Sequence, residues 1–76
     1  MKNDNDNILQ SFGDTIRSLR KKRDISQEEL AHLSDLDRSY IGGVERGERN
    51  ISLINIVKIT HALNISLSHL FDNIDT

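Results

Sequence analysis

Ser26 and Asp37 each suit the start of a helix, and the short stretch between them constrains this chain more than any other feature. Ser26 is followed three residues later by Glu29, a capping box in which the serine oxygen takes a free amide of the first turn and the glutamate reaches back to the cap. A helix that begins there and buries Leu30, Ala31 and Leu33 ends near Ser34, and Asp35 and Leu36 form a tight turn. Asp37 then caps a helix that begins at Arg38, turns Ile41 and Val44 inward and stops at Gly47. Two short helices joined by so brief a turn must cross at a steep angle.

The rest of the chain reads as helix on both sides of this pair. A helix starting between Asn7 and Ser11 and running to about Arg23 places Ile8, Phe12, Ile16 and Leu19 on one stripe. After Glu48, Arg49 and Asn50, a fourth helix opens at about Ser52 and carries Leu53, Ile56, Val57, Thr60 and Leu63. Asn64 and Ile65 close it, and Ser66 caps a short fifth helix holding Leu67, Leu70 and Phe71. The absence of proline and the presence of only four glycines argue against a turn-rich β sandwich. With 76 residues there is room for one domain, and with no cysteine its stability must come from helix packing or dimerisation. The expected fold is an all-α bundle of five helices. Residues 1–7 are expected as a flexible arm, 8–72 as the domain with its helix-turn-helix over 26–45, and 73–76 as a frayed end.

A formal charge of −2 argues against nucleic acid only as an average. Eight of the ten Lys and Arg lie between Arg17 and Arg49, facing seven acids, whereas the flanks hold two lysines against five aspartates. Binding to DNA requires basic groups on one face and not a basic mean. Arg17, Arg20, Lys21, Lys22 and Arg23 make the densest run, but helical spacing splits them among several faces. No apolar run approaches a membrane span and the first seven residues are unlike a secretory signal, so a cytoplasmic protein is expected.

Catalysis finds little support. His32, His61 and His69 do not form a metal-binding pair, no glycine-rich phosphate loop exists, and no nucleophile has a base at a recognisable spacing. Glu28 and Glu29 are adjacent and point in different directions. Neither cofactor nor metal is expected.

The stretches Gln27-Glu28-Glu29-Leu30-Ala31, Leu36-Asp37, Arg38-Ser39-Tyr40-Ile41 and Val44-Glu45-Arg46-Gly47 resemble the Cro/CI-type, or XRE-family, helix-turn-helix of phage repressors and bacterial regulators. The ending from Ala62 to Phe71 resembles the same family, so the likeness runs from Phe12 to Phe71 and implies the lambda-repressor-like DNA-binding fold. Leu36 to Ile41 followed by Gly43 to Asn50 looks like the controller proteins of restriction-modification systems, although other free-standing XRE regulators share much of that string. Controller proteins are small dimers that bind operator repeats upstream of their own gene and the endonuclease gene. The resemblance therefore implies a sequence-specific transcriptional regulator whose partners are double-stranded DNA, a second copy of itself and, for activation, RNA polymerase.

Arg38, one residue after the cap, projects from a helix N-terminus, where its planar fork suits guanine O6 and N7. Ser39 can donate or accept at a base edge. Gly42 and Gly43 each cost a helix interior about 1 kcal/mol, tolerable if a bare surface lets the backbone approach DNA. Gly43 suits the controller-like pattern, while Gly42 replaces what is often a polar residue, so base reading is expected from Arg38, Ser39, Arg46 and the bare surface at Gly43. Gln27 in the first turn of its helix, with Arg49, Asn50 and Ser52, is expected on phosphates, which carry affinity without sequence information. By the resemblance, Tyr40 also contacts phosphate and Arg20 pairs with Glu45. Ile54 and Ile59, outside the main stripe of the fourth helix, are expected at a dimer interface with Leu67, Leu70 and Ile74. Two-fold pairing repeats the contact about 34 Å along an inverted repeat. The competing reading is a helical protein-interaction module such as an antitoxin.

Overall fold

The computed structural model describes residues 4–74. They form α1 (Asp4–Lys22), α2 (Gln27–Ser34), α3 (Arg38–Glu45), α4 (Leu53–Leu63) and α5 (Leu67–Asp72). α1 packs on α3, α2 on both α3 and α4, and α4 on α5. One core joins Phe12, Ile16 and Leu19 of α1, Leu30 and Ala31 of α2, Ile41 and Val44 of α3, Ile59 and Leu63 of α4, and Leu70 of α5. Each large side chain in it contributes roughly 1.5–3 kcal/mol by leaving water.

Serines open three of the helices as their positions predict. Ser26, Ser52 and Ser66 accept from the amides of Glu29, Asn55 and His69 at 3.0, 3.2 and 2.9 Å. Asp37 holds the equivalent place before α3 but its side chain makes no capping bond. Asp35 and Asn64 end α2 and α4 in the left-handed conformation, with φ of 59° and 58°, and their amides bond back to carbonyls of the last turn.

Several boundaries and faces differ from the expectation. α1 begins at Asp4, a turn before Asn7, so residues 4–7 belong to the helix and not to an arm. Asn7 and Ser11, expected as caps, lie inside it. Residues 1–3 of the expected arm and 75–76 of the expected frayed end lie outside the described residues. Asn73 and Ile74 are tied down: the Asn73 carbonyl accepts from Thr15 Oγ1 at 3.3 Å, and Ile74 packs against the core. Leu33 and Leu53 were expected inside and are 52% and 64% exposed. α4 is apolar on nearly every side, so periodicity alone does not choose its buried face. The stripe that faces inward contains Ile59 and Thr60 with Leu63, and Ile59, expected at a dimer interface, is fully buried. Leu70, expected at the same interface, is also fully buried beneath α5.

Candidate nucleic-acid interface

The inward side of α3 is held by Ile41 and Val44, both in the core, so its opposite side is turned outward. Arg38 and Ser39 are exposed at its start, and Arg46 is exposed just past its end. Gly42 and Gly43 are buried, each beneath an arginine. A Cβ on Gly43 would lie 3.1 Å from Arg49 Cγ, and one on Gly42 would lie 3.0 Å from Arg46 Nη1. As the chain stands, Arg49 covers the bare backbone of Gly43 that was expected to meet a base. Arg46 Nε donates to Glu48 Oε2 at 3.0 Å, both groups being exposed. That contact holds the Glu48 carboxyl below its usual range and the Arg46 guanidinium above its own.

The expected phosphate contacts divide into two groups. Arg49, Asn50 and Ser52 are exposed along the loop from α3 to α4. The Arg49 guanidinium sits 5.5 Å from the centre of the Tyr40 ring, a cation–π contact. Tyr40 Oη accepts from Asn55 Nδ2 at 3.2 Å, which leaves the phenol proton to be donated outward. Ser52 accepts from the Asn55 amide, so Asn55 positions both hydroxyls of this group. Gln27 differs, because its side-chain Nε2 turns inward and donates to Glu45 Oε1 at 3.0 Å. Its backbone amide, in the first turn of α2, has no partner within the helix and is what the position offers a phosphate.

Beneath this face lies Glu45, with no exposed surface. Arg20 Nε and Nη2 donate to its two carboxylate oxygens at 2.7 and 2.9 Å, the paired geometry expected of Arg20 and Glu45. Arg20 Nη1 donates to the Ile25 carbonyl at 2.9 Å. Arg17 Nε approaches Glu45 Oε1 at 3.5 Å. Burial alone would push the Glu45 carboxyl up, but hydrogen bonds from Arg20 and Gln27 and the charges of Arg20 and Arg17 outweigh it and hold it below the usual range. Donating to the Glu45 carboxylate in turn holds the Arg20 guanidinium above its usual range. The negative charge at the C-terminal end of α3 is thereby neutralised.

A helix-turn-helix family pattern matches residues 16–70. Control protein C.MunI of Mycoplasma sp is 49% identical over 65 residues, covering 84% of this chain and 88% of that protein. The crystal structure of the restriction-modification controller protein C.AhdI from Aeromonas hydrophila superposes with a TM-score of 0.81 at 57% identity, covering 83% of this chain and 96% of that one. The chain belongs to the helix-turn-helix family of restriction-modification controller proteins. Another such controller, C.Esp1396I, is 34% identical with a TM-score of 0.81 over 86% of each chain, and its structure is that of a tetramer in complex with its natural 35 base-pair operator.

The supporting contacts of three residues have no counterpart in the expectations from sequence. Arg17 and Gln27 share Glu45 with Arg20, and Asn55 braces Tyr40 and Ser52. Polar side chains at helical spacing carry no mark of which neighbour they will meet, so only the crossing of the helices reveals them. Among the described residues, no three His, Cys, Asp or Glu side chains gather as metal ligands do, and no helix is long and apolar enough to cross a membrane.

Proposed function

We propose that this chain is a sequence-specific double-stranded DNA-binding regulator that acts as a homodimer on an inverted-repeat operator, controlling its own gene and that of a restriction endonuclease. The observation that carries this reading is the outward side of α3, where Arg38, Ser39 and Arg46 are exposed while Ile41 and Val44 anchor the helix to the core. Arg38 and Ser39 read base edges from the start of α3 in the major groove. Tyr40, Arg49, Asn50 and Ser52 clamp the phosphates beside it. That the related C.Esp1396I forms a complex with its natural operator supports DNA binding by this chain. Such work belongs to the bacterial cytoplasm, at the nucleoid, and a copy that activates must also touch RNA polymerase at the adjoining promoter.

The dimer surface we propose differs from the expected set. Leu53 and Ile54 are 64% and 71% exposed at the start of α4. Close to them in sequence, Ile51 and Ile56 line an apolar groove of about 410 Å³ with Ile8, Phe12, Phe71 and Ile74. Ile54, Leu67 and Ile74 remain in the proposed interface, and the buried Ile59 and Leu70 leave it. The occupant we assign to this surface is a second copy, whose pairing doubles the DNA contacts.

Binding to pooled random duplexes, with sequencing of the bound fraction, tests the function directly. The expected result is an enriched inverted repeat whose half-sites lie about 34 Å apart. A pool that returns no motif overturns the reading and favours a module that binds only protein.

A further inference from the structure

Gly42 lies on the outward stripe of α3, four residues after Arg38 and three after Ser39, so a side chain there would stand beside both. No turn or positive φ requires glycine at this position: among the described glycines only Gly47 has φ above zero, at 76°. What an added Cβ meets is the tip of Arg46, whose Nη1 would lie 3.0 Å away, with Gln27 Oε1 at 3.6 Å. The Arg46 side chain therefore reaches back one turn and rests its guanidinium on the bare backbone of Gly42. Its Nε is taken by Glu48 Oε2 at 3.0 Å. The end of the fork, Nη1 and Nη2, is the edge left for two parallel hydrogen bonds.

We infer that Gly42, Arg46 and Glu48 form one specificity-determining unit. Gly42 is the gap that lets the Arg46 guanidinium stand where the side chain of residue 42 would read the groove, and Glu48 fixes its rotation. The unit reads a guanine through O6 and N7, one helical turn further along α3 than the base read by Arg38. This rests on the DNA-binding reading above and extends it to a base contact that residue 42 itself, having no side chain, cannot make.

The test compares base preference at every operator position for wild type, Gly42→Ala, Arg46→Ala, Glu48→Ala and Glu48→Gln, using selection from random duplexes and the thermal midpoint of each protein. Gly42→Ala is the decisive variant, because alanine favours helix and the only close contact it makes is with the flexible end of an arginine. Its midpoint is expected at or above that of wild type. Gly42→Ala and Arg46→Ala are both expected to lose a preference for guanine of about tenfold at one shared position, while the preference set by Arg38 is unchanged. Glu48→Ala should weaken the same preference and Glu48→Gln, which keeps an acceptor, should retain it. A Gly42→Ala protein with the wild-type profile beside an Arg46→Ala protein that has lost the guanine overturns the role of the gap. Equal loss by Arg46→Ala on all duplexes overturns base reading by Arg46. A wild-type chain that enriches no motif overturns the DNA-binding reading itself, and this unit with it.

Discussion

Glu45 has no exposed surface and is ionised below the usual carboxylate range, because Arg20, Gln27 and Arg17 together outweigh the effect of burial. A carboxyl whose folded pKa is depressed adds stability that is complete above its unfolded value, about 4.3, and is lost as pH falls through the folded value. Arg20→Ala leaves a buried charge without its main partner and is expected to cost about 3–5 kcal/mol. Thermal melts from pH 7 to pH 3 should show the lower midpoint and a shallower acid slope than wild type; an unchanged slope means Glu45 is not the titrating group. At the DNA face the arginines are expected to divide their labour. Arg38→Ala should cost about 1–3 kcal/mol on the cognate site and relax one base position. Arg49→Ala should weaken every duplex alike and reduce the salt slope by about one. Titrations at several salt concentrations separate the two, and equal losses on cognate and random DNA would contradict the division. The pairing of Arg20 with Glu45 was legible through the family pattern, whereas the contact of the Gln27 side chain with Glu45 was not: the first turn of α2 suits a phosphate, and only the convergence of α2 and α3 turns that side chain toward Glu45.

Helix starts were the most legible elements, because Ser26, Ser52 and Ser66 each satisfy an orphan amide and the reason is local. The start of α1 was not, since Asn7 and Ser11 fit a cap equally well on paper and the helix extends past both. The buried side of α4 was misread for a different reason: Leu53, Ile54, Ile56, Val57 and Ile59 surround the axis, and packing against α2 and α5 decides among them. Gly13 shows what pattern cannot reveal. It sits where α1 crosses the end of α3, and a Cβ there would collide with the Val44 carbonyl and come within 2.7 Å of the Glu45 carbonyl oxygen. Both obstacles are backbone and cannot swing aside. Gly13→Ala should therefore lower stability by about 1–3 kcal/mol in denaturant unfolding, against the roughly 1 kcal/mol that alanine gains in an isolated helix. A variant as stable as wild type would mean that the two helices can separate at little cost.

At the scale of the whole molecule, the apolar groove between α1, α4 and α5 shares Asn50 with the proposed phosphate contacts, but the exposed Ile54 belongs to none of those contacts, so pairing can be broken there without removing a DNA-contacting side chain. Ile54→Asp places a charge on the exposed patch without touching the core. Sedimentation is expected to give a monomer with an unchanged helical spectrum and much weaker binding to a full operator than wild type shows. A dimer that survives the change would move the interface elsewhere. The all-helical architecture followed from spacing and caps, but the interface did not, because an α4 with apolar residues on nearly every side conceals which of its leucines and isoleucines the core leaves over. The packing order has a temporal consequence. Each main pairing joins neighbouring helices or skips a single one, α1 with α3, α2 with α3 and α4, and α4 with α5. Little chain entropy is spent closing wide loops, and helical topologies of this kind mature within about milliseconds. Ribosomes add about 5–20 residues per second, so each new copy is ready for work almost as soon as synthesis ends. The delay before such a regulator acts is then set by how fast copies accumulate and not by how fast they take shape.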